Sequence, residues 1–219
     1  ARGELTFDGK LHRLAAVVKT VQSPELVPIL RRLATTLGLD GETHKSILTT
    51  LIKVGNPTDL RFVLNPKTHM QGAGYDDELH AELLSELETA SAERKMLPRG
   101  NLAEPLRWLL RQKNEDLQSQ AIRLAGIWKI GDLEDDVLQI VRDRESELDT
   151  RRAAIETLVQ LRGPGARDTL VELTDTAGSV SIRTAAIAAL CTIDTDEAAK
   201  HAASLMSTTK NLDPVELIT

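Results

Sequence analysis

The sequence predicts an all-α fold, a right-handed α-α superhelix of about six helix pairs, and three observations predict it. The first is a phrase that recurs at fixed spacing. Leu148, Arg151, Ala153, Ala154, Ile155, Leu158 and Leu161 return as Val180, Arg183, Ala185, Ala186, Ile187, Leu190 and Ile193, each 32 residues later. A looser copy with Leu117, Gln120, Leu124, Ile127 and Ile130 lies 31 residues upstream. A constant period with helical spacing inside each unit marks stacked helix pairs, each burying its apolar face on the next. The second is composition: 41% of residues are hydrophobic but only 2% aromatic, so the core is built from Leu, Ile, Val and Ala, which suits closely packed helices rich in strong helix formers. The third is punctuation, with Ser-Pro and Gly-Asn-Pro breaks between apolar runs of helical period.

In chain order, the first pair has Leu11, Leu14, Ala15, Val18 and Val21, then Ser23-Pro24, where Ser caps and Pro fits the first helical position. Its partner carries Leu26, Leu30, Leu33 and Leu37 and ends at Gly38. The second pair has Ile47, Leu48, Leu51, Ile52 and Val54, a Gly55-Asn56-Pro57 break, then Leu60, Val63 and Leu64. Residues 65–77 have no apolar period and read as a long loop. The third pair starts at Glu78 with Leu79, Leu83, Leu84 and Leu87. A second irregular stretch, 91–101, precedes Leu102, Leu106, Leu109 and Leu110. The last three pairs, near 117, 148 and 180, are the regular ones. Their second helices carry Val137, Ile140 and Val141, then Leu170 and Leu173, then Ala202 and Leu205. The whole of 1–219 thus reads as one repeat domain, regular over about 117–209 and divergent over about 11–113.

Net charge is −6 and uneven: residues 111–219 hold 13 Lys+Arg against 19 Asp+Glu, while residues 1–110 hold 14 of each. An acidic carboxy half argues against broad binding to a phosphate backbone, which needs a basic face. The single cysteine, Cys191, excludes an intramolecular disulfide and, following Leu190 in the most regular repeat, is expected to be a small packed residue. No run approaches the length of a membrane span, so direct membrane insertion is not expected. The chain opens at Ala1 and closes on Asp213-Pro214-Val215-Glu216-Leu217-Ile218-Thr219, which reads as the start of another element and hence as a piece of a longer protein.

The pattern of Arg, two small residues, an aliphatic and a Leu three further on is met by Arg151-Arg152-Ala153-Ala154-Ile155 with Leu158, and again by Arg183-Thr184-Ala185-Ala186-Ile187 with Leu190. With the turn Ile130-Gly131-Asp132, these residues resemble the HEAT-like repeats of the phycobilisome-lyase type, over about 117–209. The resemblance implies an armadillo-like solenoid that serves as a protein-binding scaffold. In such repeats an Asp closing one unit commonly pairs with an Arg opening the next. Asp143 stands eight residues before Arg151 and Asp175 eight before Arg183, so both pairs are expected as a register-setting ladder. Gln112 and Gln120 take the equivalent places upstream. The tail from Asp213 also resembles the entry to the segment that follows the HEAT repeats of certain large bacterial membrane-bound dehydrogenase-like proteins, which add a β-propeller and a c-type haem domain. That narrower resemblance implies a spacer between active domains, working outside the cytoplasm in an oxidoreductase parent.

Within 1–219 the residues offer little for catalysis. His12, His44, His69, His80 and His201 are scattered without metal-ligand spacing, and no Cys-x-x-Cys-His is present, so no metal or cofactor is expected. Gly72-Ala73-Gly74 lacks the remainder of a phosphate loop. The carboxylate runs Asp76-Asp77-Glu78 and Glu134-Asp135-Asp136 fall at helix starts, where they favour the macrodipole. Trp108 and Trp128 with Asp132 raise a rival reading as a HEAT-like DNA glycosylase, or a lyase-type enzyme. Against it, the surrounding half is acidic and Trp128 falls four residues after Leu124, near the apolar stripe. The favoured reading is therefore a noncatalytic scaffold or interdomain spacer. Its partners are expected to be protein surfaces, chiefly other domains of the same polypeptide, and not nucleic acid. Long loops inserted between repeats are where solenoids place function. Lys67, His69, Met70 and Tyr75 of the 65–77 loop, together with 91–101, are the expected contact residues.

Overall fold

The computed structural model describes residues 23–35, 39–69, 76–176 and 178–208. Among them it places eleven α-helices, short 3₁₀ turns and no strand. The helices are α1 Val27–Ala34, α2 Gly41–Val54, α3 Pro57–Leu64, α4 Asp77–Arg94, α5 Ala103–Leu110, α6 Glu115–Ile127, α7 Glu134–Arg142, α8 Leu148–Arg162, α9 Arg167–Thr176, α10 Val180–Cys191 and α11 Thr195–Thr208. The expected helix at 11–21 and the stop at Gly38 lie outside the described residues. The chain forms two compact units, Ala1–Pro105 and Leu106–Thr219, which divide inside α5.

In the first unit, α2, α3, α4 and the 3₁₀ turn Pro24–Leu26 that leads into α1 start where the sequence supplies a cap. Asp40 accepts from the Thr43 amide at 2.8 Å, Asp76 from the Leu79 amide at 3.0 Å, and Ser23 from Glu25 N at 3.4 Å. Asn56 and Asp59 form a reciprocal capping box at the head of α3. Helix α2 packs on α1, α3 and α4. The core is Leu30, Ile47, Leu48, Leu51, Leu60, Leu64, Leu83, Leu84 and Leu87, all 2% exposed or less. The irregular stretch expected from 91 begins later, because α4 runs on to Arg94. Ala90 and Ser91 are buried, the Ser91 hydroxyl donates to the Leu87 carbonyl, and Arg94 donates to the carbonyls of Ile52 and Gly55. Lys95, with φ of 49°, then turns the chain in the left-handed region.

The second unit contains the three regular repeats. The first helices α6, α8 and α10 pack in sequence, α7 and α8 pack together, and α10 packs on both α9 and α11. The expected helices at 148–161 and 180–192 are found at Leu148–Arg162 and Val180–Cys191, 32 residues apart at their starts. Ala154, Ile155 and Leu158, and their equivalents Ala186, Ile187 and Leu190, are all buried, at 3% exposed or less, which is the repeated phrase seen in space. The Ile130-Gly131-Asp132 turn follows a Schellman end. Lys129 takes φ of 52° and the Ile130 amide reaches back to the Ala125 carbonyl at 2.9 Å. Cys191 departs from expectation: it is exposed. The reason is angular, since Leu190 holds the buried place and the next residue on the helix is turned some 100° away from it.

Candidate functional site

The repeats of the second unit are tied together by arginines, but not through the acceptors the sequence suggests. Arg151 is buried and donates Nε and Nη2 to the Val141 carbonyl at 3.4 and 3.1 Å. Arg183 donates Nε to the Thr174 carbonyl at 2.7 Å. Both acceptors lie in the last turn of the preceding second helix, where carbonyls lack an intrahelical partner and the helix end is negative. The direct Asp143–Arg151 and Asp175–Arg183 pairs give way to this arrangement. Asp143, the C-cap of α7, turns its carboxylate onto the following turn, accepting from the Glu145 amide at 3.0 Å and the Ser146 hydroxyl at 2.7 Å. The Ser146 and Glu145 bonds, with a smaller contribution from the Arg151 charge, hold its carboxyl below the usual range. Asp175 faces His201 at 3.4 Å. A guanidinium on an orphan carbonyl satisfies both groups without stripping water from a carboxylate, which makes it the better buried solution. At Gln120, the equivalent upstream place, the buried Oε1 has no hydrogen-bond partner.

Ion pairs do link neighbouring repeats, through other residues. Arg107 reaches Asp136 at 2.9 Å and the Asp132 carbonyl at 2.6 Å, Arg162 reaches Glu134 at 2.6 Å, Arg142 reaches Glu172 at 3.4 Å, and Arg167 reaches Asp194 at 2.7 Å. The Arg167 bond holds the Asp194 carboxyl low, while Asp194 also caps α11 at the Glu197 amide. Each linked pair is separated by close to one repeat length. Opposite charges 27 to 30 residues apart were therefore a signal present in the sequence. Between α6 and α8, hydroxyls do the same work: Ser119 and Thr150 meet at 3.2 Å, and Thr157 donates to the Ile122 carbonyl at 3.1 Å.

In the first unit, residues expected at a partner surface divide. Lys67 is exposed on the 3₁₀ turn Pro66–Thr68, capped by Asn65. Met70 and Tyr75 lie outside the described residues. His69 is not available to a partner: it is 5% exposed, its Nε2 lies 3.0 Å from the Val63 carbonyl, and its ring packs on Phe62 at 5.5 Å. It also meets His44 edge to face at 5.6 Å. With fully buried His80, three histidines that look scattered in sequence gather in one core. A signal was present. His44-Ile47-Leu48-Leu51 and His80-Leu83-Leu84-Leu87 have the same spacing, which places each histidine at the head of an apolar stripe. Burial depresses all three imidazoles, His69 and His80 to about 4. No group of three or more His, Cys, Asp or Glu among the described residues could hold a metal ion. A groove of about 310 Å³ on α2 and α4 is lined by Glu42, Lys45, Ser46, Thr49, Thr50, Lys53 and Glu86, a mixture of both signs. Lys45 there is engaged by Glu82 at 2.5 Å.

The two tryptophans do not form a shared exposed face. Trp128 is 4% exposed and belongs to the core, whereas Trp108 is half-buried. No described helix is long and apolar enough to cross a membrane.

Fold and geometry together define an α-solenoid built of repeating helix pairs. The model of the HEAT repeat family matches residues 103–191, from α5 to the end of α10, so this part of the chain is similar to HEAT repeats. No curated protein and no solved structure shows significant similarity to the chain.

Proposed function

We propose that this chain is a noncatalytic protein-binding scaffold or interdomain spacer within a larger polypeptide. One observation carries the reading. The repeats of the second unit are locked to one another through buried groups, yet the first residue of α8 and of α10 leaves a large aliphatic side chain in water. Leu148 is 45% exposed and Val180 40%, at equivalent places in consecutive repeats. Repeating apolar points on a stiff spine suit an extended protein surface better than a small-molecule pocket. The partner is another domain of the same polypeptide. Lys67, Met70 and Tyr75 with the segment after Lys95 form a second contact region. The parent is a multidomain extracytoplasmic oxidoreductase of the dehydrogenase-like kind, a reading that rests on the residues from Asp213 onward.

The test uses the flanking domains of the parent, expressed separately and titrated with this chain. A Leu148→Glu/Val180→Glu variant is expected to keep its helical content and melting temperature but lose at least tenfold in affinity. Unchanged affinity would refute this surface as the contact. Replacing residues 70–75 by Gly/Ser, which leaves His69 in place, tests the second region in the same titration.

A further inference from the structure

We propose that the first unit contains an acid-sensitive latch. The buried rings of His44, His69 and His80 join α2, the turn after α3 and α4 while all three are neutral, and their protonation opens this unit before the second one. The cluster draws one ring from each segment: His44 from α2, His69 from the turn that follows α3, and His80 from α4. His44 and His69 are 5% exposed and His80 0%. Backbone carbonyls of Ala34, Val63 and Leu64 serve one nitrogen each. The second nitrogens of His44 (Nε2) and His69 (Nδ1) are buried with no partner. Among the described residues, a proton added there meets no acceptor and no counter-ion, and both are costly in an apolar core.

The surrounding charges do not relieve that cost. On α1 and α3, Arg31 and Asp59 are turned to each other at 3.4 Å, and the guanidinium lies over the Phe62 ring, 5.0 Å from its centroid. On α3 itself, the Arg61 Nη1 is buried without a partner and supplies no negative charge. On α4, Asp76 caps the Leu79 amide and Glu82 is taken by Lys45 of α2 at the surface. The rings also act on each other: His44 disfavours protonation of His69, and His69 that of His80. One protonation therefore makes the next harder while the fold stays closed, and the penalty is relieved by opening.

Burial, then mutual repulsion, lowers His69 and His80 to about 4. An exposed imidazole titrates near 6.5. The unfolded chain thus binds protons first. Stability is full above about pH 6.5, falls as pH drops below it, and stops falling through these groups below about pH 4. For one ring with these two values, the opening equilibrium rises roughly 30-fold at about pH 5. Carboxylates titrate mostly below that window.

The experiment is hydrogen exchange on the full chain at about pH 7 and about pH 5, corrected for intrinsic exchange. Amides of α2 and α4 should lose protection roughly 30-fold or more, with α8 and α10 changing only a few-fold. His44→Leu should blunt the loss in α2 and α4. If that variant does not fold, imidazole titration of the natural protein by NMR decides. His69 and His80 should stay neutral to below about pH 5, His44 should titrate below its ordinary range, and all three should titrate with loss of structure. Equal protection at both pH values, a loss undiminished in His44→Leu, or any of these rings titrating near 6.5 in an intact fold would overturn the latch.

Discussion

Replacing Gly55 by alanine tests how tightly the first unit is jointed. Gly55 ends α2 in extended backbone with φ of −71°, so the conformation itself is open to alanine. The obstacle is space. A Cβ would overlap the Leu51 carbonyl oxygen and lie 2.6 Å from the Cβ of Asp59. Neither can swing away. The Leu51 carbonyl accepts from the Gly55 amide at 2.8 Å, and Asp59 is 1% exposed, bonded to the Asn56 amide and paired with Arg31. Moving Asp59 breaks the capping box of α3, worth about 1 kcal/mol. Shifting backbone in a filled junction costs about 1–3 kcal/mol more. The expected loss is about 2–4 kcal/mol, read from urea denaturation by circular dichroism and localised to α2–α4 by hydrogen exchange. Gly126→Ala is the contrast. Its Cβ would meet the mobile amide end of exposed Gln160 and come 3.1 Å from Thr157 Oγ1, and the helix-propensity gain of about 1 kcal/mol offsets the crowding. A Gly55→Ala loss below about 0.5 kcal/mol, or an equal loss for Gly126→Ala, would refute the close-contact argument.

Arg151→Ala should destabilise the second unit by about 2–3 kcal/mol, because a charged bond to the Val141 carbonyl is lost and that carbonyl is left unpaired in the interior; a urea midpoint unchanged from the natural protein would show that the bond contributes nothing. Lys129→Gly should raise stability by roughly 0.5–1 kcal/mol, since a non-glycine residue there occupies the left-handed region, and thermal melting reads the sign directly. Trp108→Ala should leave duplex-DNA retention unaltered at the background level expected of a chain of net charge −6; salt-sensitive binding that this variant weakens would restore the glycosylase reading.

The helices were legible because their information is local. The spacing of Ile155 and Leu158, or of Ile187 and Leu190, sets which face is buried before any partner is present. The Gly55-Asn56-Pro57 break and the Asp76-Asp77-Glu78 run mark helix starts for the same reason. The end of α4 was misjudged, since Ala90 to Arg94 carry little apolar signal and are held by bonds from Arg94 to carbonyls some 40 residues earlier. The acceptors of Arg151 and Arg183 were misjudged on different grounds. A sequence shows side-chain partners but not which backbone carbonyl a helix end leaves exposed.

By itself, then, the amino-acid order determined the helix class, the 32-residue period, the similarity to HEAT repeats in the carboxy half and the identity of most core residues. These follow from periodicity along one chain. Only the tertiary structure decided that His44, His69 and His80 share a core, that Cys191 faces water, and that arginines cross between repeats to carbonyls. Those outcomes depend on which helix faces meet, and helix packing is settled by the fit of two surfaces at once.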